Sequence, residues 1–295
     1  MTSPPPGRRA ADLALLGLGL LWGSTFVVVK DALDDASPVV FLALRFPVGA
    51  AALLVWLRRV PTSPVVWKRG LLLGVLLALG YLTQTWGLEL TTPARSAFFT
   101  GLSVLLVPFV SWFLDQRRPG GAALVGAALA VAGTYFLSGQ GGAALGPGEL
   151  LTLACAVAYA LHIALTSRLS QGVSAPELVF VQLTVVAGLV LLVLPFSEVR
   201  LHATWRFAGT VVICGVVANA VAIAVQTWGQ ARTTAVRAAL LFALEPVWAA
   251  GLSWLLGRES LGAPELTGGG LIVLGVVVGE GGGAWLARRT SSAAP

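Results

Sequence analysis

Ten stretches of about 20 mostly apolar residues succeed one another with short connections, near residues 11–29, 38–57, 69–88, 94–114, 119–138, 148–168, 175–195, 206–228, 234–257 and 264–286. A bilayer core about 30 Å thick needs about 20 such residues per helix, and lipid offers the backbone no hydrogen bonds, so each stretch predicts a transmembrane helix. The expected fold class is an all-α integral membrane protein with ten transmembrane helices and no soluble domain. Composition agrees, because 57% of the 295 residues are hydrophobic and 11% charged, against about 25% charged in a soluble domain. The first run follows Arg8 and Arg9 in the manner of a signal peptide. It is long, however, and no clear small-residue cleavage site follows it, so it is expected to be retained. Cys155 and Cys214 both lie inside apolar runs and read as small packing residues rather than a disulfide.

A net charge of +6 need not mean nucleic acid, because the cations fall in short clusters between apolar runs instead of forming one patch. With both termini cytoplasmic, twelve Lys and Arg residues, from Arg8 and Arg9 to Arg288 and Arg289, lie inside. Five, from Lys30 to Arg258, lie outside together with Asp31, Asp34 and Asp35. That bias follows the positive-inside rule. Only two of the nineteen basic residues are lysine, which suggests a GC-rich bacterial genome and hence a bacterial inner membrane.

The chain is also duplicated. Gln84, Thr85, Trp86 and Gly87 return 142 residues later as Gln226, Thr227, Trp228 and Gly229. In the same register Thr91 and Thr92 fall on Thr233 and Thr234, Arg95 on Arg237, Ser111 and Trp112 on Ser253 and Trp254, Gly126 on Gly268, and Gly133 on Gly275. The expected units are residues 1–140 and 147–287, five helices each. An odd number of helices makes the second copy enter the membrane from the opposite side, so the repeats are expected to be inverted, the arrangement that gives alternating access a structural source.

Further motifs resemble a known family. The first run carries Leu21, Trp22, Gly23, Ser24, Thr25, Phe26 and Lys30; the second carries Arg45 after Phe41 and Leu44; the ninth carries Leu244, Glu245, Pro246, Val247 and Trp248, then Leu256, Gly257, Arg258 and Glu259. Together they resemble the drug/metabolite transporter superfamily in its ten-helix form built from two EamA-type domains, over nearly the whole chain. The first repeat departs from the last motif, with Asp115, Gln116 and Arg117 where glycine and glutamate are expected. The resemblance implies a secondary transporter that exports small organic molecules such as amino acids or drug-like compounds.

Polar residues in membrane helices face protein or water, so their spacing marks a cavity. Thr152, Cys155, Tyr159, His162 and Thr166 share one helical face. Ser96, Thr100, Ser103 and Ser111 mark the fourth helix, Asn219 and Gln226 the eighth, Tyr81, Gln84 and Thr85 the third, and Trp22, Ser24, Phe26 and Lys30 the first. The candidate substrate-binding residues are Trp22, Ser24, Tyr81, Gln84, Ser103, Tyr159, His162, Asn219, Gln226 and Glu245, with interhelical hydrogen bonding as the alternative role for each hydroxyl or amide.

Glu245 is the sharpest single candidate, since an ionised carboxylate within a membrane helix has to be paired, hydrated or protonated. It is a candidate site for a coupling proton or for the cationic part of a substrate, or a hydrogen-bond partner at the Pro246 kink. Lys30, Arg45, Pro108 and Pro246 are candidates for gating or charge pairing. Pro246 aligns with Val104 and Pro108 with Ala250, which predicts that the two halves bend at different depths. Gly126, Ala130 and Gly133, and Gly268, Gly275 and Gly279, read as surfaces for close packing, either against each other or in a dimer. No H-E-x-x-H pair, phosphate loop or facing aspartate pair occurs, which argues against an intramembrane enzyme, ATP drive or a cofactor. The expected partners are a small-molecule substrate and the lipid bilayer, with proton coupling, an uncoupled facilitator, a monomer and a homodimer all left open.

Overall fold

Among the described residues the chain forms helices and a single isolated β-bridge, Ala36 to Leu201. The computed structural model describes residues 7–116, 118–137, 145–255 and 262–292, with backbone alone for Ala94, Leu137, Ala249, Leu252, Ser253 and residues 280–292. The motif residues Leu256, Gly257, Arg258 and Glu259, together with Arg117, lie outside this set, as do the side chains of Ser253, Arg288 and Arg289.

The helices are α1 (Arg8–Asp35), α2 (Pro38–Leu57), α3 (Pro64–Leu90), α4 (Pro93–Gly101), α5 (Ser103–Asp115), α6 (Gly121–Leu137), α7 (Pro147–Leu169), α8 (Ala175–Val193), α9 (Trp205–Ile213), α10 (Ala222–Gln230), α11 (Ala235–Phe242), α12 (Glu245–Leu255) and α13 (Ala263–Ser292). Among the described residues seven helical segments are long and apolar enough to cross a membrane, and Gly121–Phe136 and Ala263–Gly279 are shorter apolar helices. Starts are written into the sequence. Proline begins α2, α3, α4 and α7, where its missing N–H costs nothing. Thr92 and Thr234, repeat mates, cap α4 and α11 by accepting from the backbone N–H of Arg95 and Arg237.

Three expected helices are less regular than apolarity alone suggests. The fourth run breaks at Leu102, whose N–H bonds back to Phe99, and the ninth breaks at Ala243 and Leu244. Leu102 and Leu244 are repeat mates, so the halves bend at matched positions, contrary to the expectation drawn from the prolines. Pro246 explains one break, since it begins a helix well and continues one badly. Pro108 instead sits inside α5, and at the first break only Gly101 supplies a weak point. In the eighth run, Cys214–Val221 between α9 and α10 is π-helical.

Glycines set the closest helix contacts. A Cβ on Gly126 would meet Gly275 O, and one on Gly133 would meet Gly268 O, so α6 and α13 run antiparallel with backbones touching. This contact maps onto itself when the repeats are exchanged, because Gly126 matches Gly268 and Gly133 matches Gly275. The two glycine surfaces therefore pack against each other. Similarly, a Cβ on Gly49 would lie 2.6 Å from Gly215 O, which brings α2 against the π-helical segment. Large apolar side chains such as Trp56, Phe113, Leu192 and Trp205 cover the outside, as lipid contact requires.

Candidate functional site

Residues of α1 to α7, α10, α11 and the start of α12 line a cavity with about 110 Å³ open to the centres of water molecules. One water needs only about 10–15 Å³ on that measure, so the space suits a small organic solute. Of the residues expected to bind substrate, Trp22, Tyr81, Gln84, Ser103, Tyr159, His162, Gln226 and Glu245 line it, as do Arg45 and Pro246. The helix breaks matter here, because they place the mates Ser103 and Glu245 at the start of α5 and of α12 on the wall. Phe26, Leu77, Val104, Ile163 and Phe242 supply apolar surface between them.

The polar wall has an internal order. Tyr159 donates its hydroxyl hydrogen to Gln84 Oε1 at 3.1 Å, and Gln84 Nε2 donates to Thr100 Oγ1 at 3.3 Å. Gly80 has no side chain because the ring of Tyr159 lies where a Cβ would be. His162 Nε2 lies 2.9 Å from Gln182 Oε1, so that imidazole is held by a neutral amide. Trp22 Nε1 donates to Ala218 O in the π-helical segment at 3.1 Å, and its ring meets Phe242 edge-on. Gln84 and Gln226, first members of the duplicated tetrad, both face the cavity.

Among the described residues neither charged residue of the wall, Arg45 or Glu245, has an ion-pair partner. Arg45, 3% exposed, donates from Nη2 to Asn219 Oδ1 at 2.6 Å. The rings of Phe41, Phe46 and Tyr81 lie 5.1 to 5.6 Å from its guanidinium carbon, within cation–π range. The Glu245 carboxylate makes no hydrogen bond within the described protein, and neither residue belongs to any ion pair there. One fixed cation and one carboxylate thus share a cavity without bonding each other.

Four residues expected at the site stand elsewhere. Asn219 is fully buried behind Arg45 instead of lining the space. Ser24 returns its hydroxyl to Leu21 O, as a membrane-helix serine commonly does. Pro108 is buried within α5 away from the cavity. Lys30 Nζ donates to Leu88 O, Glu89 O and Thr91 O, covering the carbonyls at the C-terminal end of α3, where a cation is favoured.

The structure adds two ion pairs that spacing did not reveal. Arg95 Nε meets Glu149 Oε1 at 2.7 Å, and Thr91 Oγ1 donates to the same carboxylate oxygen. Arg237 grips Asp12 through Nε and Nη2, both at 3.0 Å. Each joins the start of one repeat's fourth span to the start of the other repeat's first, so exchanging the repeats exchanges the pairs. They sit at opposite ends of the bundle: Asp12 and Lys30 are 18 residues apart on α1, about 27 Å along a helix, and Lys30 binds Thr91 beside Glu149. The matched arginines were visible in the 142-residue register, but their partners are not mates in sequence.

Comparison with known proteins places this arrangement among transporters. The model of the EamA-like transporter family matches twice, over residues 9–139 and 146–278. An uncharacterized transporter of Archaeoglobus fulgidus is 34% identical over 277 residues, covering 92% of this chain and 86% of its own. The uncharacterized transporter YoaV of Bacillus subtilis is 21% identical over 283 residues, covering 90% and 94% of the two chains. A solved structure titled only as the crystal structure of a protein superposes with a TM-score of 0.78 at 24% identity, covering 92% of this chain and 98% of that one, which speaks for the fold alone.

Proposed function

The chain belongs to the EamA-like transporter family, consistent with the drug/metabolite transporter superfamily, and from that premise we propose that it is a secondary transporter exporting small organic metabolites, such as amino acids or drug-like compounds, by alternating access. Residues 1–140 and 147–287 form two inverted five-helix repeats, ten transmembrane helices in all. The protein is a multi-pass membrane protein, and we place it in a bacterial inner membrane with both termini cytoplasmic.

The observation that carries this reading is a cavity inside the bundle together with a repeat-related pair of salt bridges, Arg95–Glu149 and Arg237–Asp12, at the bundle's opposite ends. Inverted repeats interconvert by exchanging their conformations. A bond that one repeat breaks at one end is therefore the bond that its mate keeps at the other. Arg95–Glu149 and Arg237–Asp12 fit that requirement, and the reciprocal glycine contact of α6 with α13 lies where an axis relating the halves would pass.

Glu245 is the residue through which a proton gradient acts in this account, because its carboxylate opens to the cavity unpaired. The test is solute flux in proteoliposomes with and without an imposed proton gradient, on the wild type and on Glu245→Gln. The wild type is expected to move solute faster with the gradient, and Glu245→Gln, nearly the same in volume, to lose that difference. A gradient effect that persists in Glu245→Gln removes Glu245 from coupling, and wild-type flux indifferent to the gradient makes the protein a facilitator.

A further inference from the structure

Resting on that reading for the role of the cavity, we infer that Arg45, held from behind by Asn219 and beside Tyr81, forms an anion subsite, so that the transported solute carries a carboxylate-like group. A guanidinium keeps its charge in any protein environment and offers five N–H donors. Arg45 uses one of them, on a neutral amide. Its Nε is sealed from solvent without a hydrogen-bond partner, and Nη1 bonds nothing among the described residues. The three rings around it fix the orientation of the guanidinium plane but accept no hydrogen bond in that plane.

Asn219 repeats the pattern. Its Oδ1 serves Arg45 and, at 3.4 Å, the Tyr81 hydroxyl, while its Nδ2, fully buried, has no partner. Unfilled donors therefore collect at one corner of the wall and just behind it, and Arg45 is the residue among them that lines the cavity. Uncompensated buried charge is strongly unfavourable, and the one carboxylate that lines the cavity, Glu245, does not reach Arg45. An oxygen anion brought by the solute supplies the missing acceptor, by the paired geometry that guanidinium and carboxylate favour.

Local backbone structure explains why the corner is built this way. Asn219 stands in the π-helical segment Cys214–Val221, a geometry that recurs at functional sites. Gly49 and Gly215 bring α2 to within backbone contact of that segment, which puts Asn219 within reach of Arg45. Trp22 takes the adjacent Ala218 carbonyl and so removes a competing acceptor. With the acid group of the solute at Arg45, Glu245 remains for a cationic group or a proton.

The test compares thermal shifts of the purified full-length protein with propionate, isovalerate and phenylacetate against their primary amides. Each carboxylate is expected to raise Tm and its amide to leave it unchanged. Asn219→Asp places a carboxylate on Arg45 from within, so it is expected to fold at least as stably as the wild type. It should also weaken the carboxylate-specific shift by about tenfold or more in apparent Kd, the loss of a charge-assisted hydrogen bond. Amides that stabilise as well as the acids, acids that give no shift, or a carboxylate preference intact in Asn219→Asp would each overturn the subsite. Proteoliposomes that moved no solute while the carboxylate preference held would instead count against transport alone, leaving the subsite in place.

Discussion

Gly133→Val is expected to abolish the folded protein as a monodisperse species, with Gly133→Ala intermediate. A Cβ at Gly133 meets Gly268 O and, at 2.7 Å, the backbone N of Ile272, and backbone of this kind cannot yield by a rotamer change. α6 and α13 must part along their length, and the mate contact of Gly126 with Gly275 parts with them. Overpacking costs about 1–3 kcal/mol where side chains can adjust, and here the obstacle is main chain, so we expect the upper part of that range or beyond. Gly188 and Gly209 have open space where a Cβ would stand, and alanine there is expected to leave yield and Tm near wild type. Size-exclusion profile and Tm of the four variants decide the matter: a Gly133→Val protein with wild-type Tm would refute the packing described for α6 and α13.

Glu149→Gln and Asp12→Asn are expected to act in opposite directions. The two salt bridges are partly shielded, with side-chain exposures of 16% and 7% for Arg95 and Glu149 and of 27% and 19% for Arg237 and Asp12. A hydrogen bond to a charged group is worth about 1.5–3 kcal/mol, and coupling free energies of this order change an equilibrium by roughly 5–150-fold. Glu149→Gln therefore favours opening at the end where α3 leads into α4, and Asp12→Asn favours opening at the N-terminal end of α1. Hydrogen exchange followed by mass spectrometry reads both ends at once. Glu149→Gln should speed exchange near Thr91–Ser96 and slow it near Thr234–Ala238, and Asp12→Asn should do the reverse. Faster exchange at both ends in both variants would mean that the pairs only add stability.

Much of the architecture was legible because lipid leaves a chain few choices. Apolar runs pointed to helices that the fold contains, with α2 at residues 38–57 as expected, whereas the matched glycines left open whether they pack on each other or in a dimer, and the contact of α6 with α13 decides for the former. The wall of the cavity followed from helical spacing: Tyr159 and His162 lie on one stripe, and Gln84 and Gln226 come from the duplicated tetrad. What spacing could not supply is long-range pairing. Asn219 looked like a lining residue, yet it stands behind Arg45 because α2 meets a π-helical segment at Gly215, and a π-turn leaves no periodic trace. Proline positions pointed to unequal bends, whereas the breaks fall at the mates Leu102 and Leu244. Asp12 and Glu149 sit near helix starts, where acidic residues are ordinary, and only the folded chain brings arginines to them.

Access to the cavity from each side of the membrane distinguishes alternating access from a pore of fixed shape. Cys155 and Cys214 are buried and free, so both can be replaced by alanine and a single reporter introduced as Ser103→Cys on the cavity wall. In proteoliposomes, a membrane-impermeant thiol reagent applied to either face is expected to reach this cysteine. Cross-linking Arg95→Cys to Glu149→Cys closes one end. Alternating access predicts that the reporter then stops reacting from that face, reacts faster from the other, and that transport ceases. A rate from the far face that stays the same or falls would rule out alternating access.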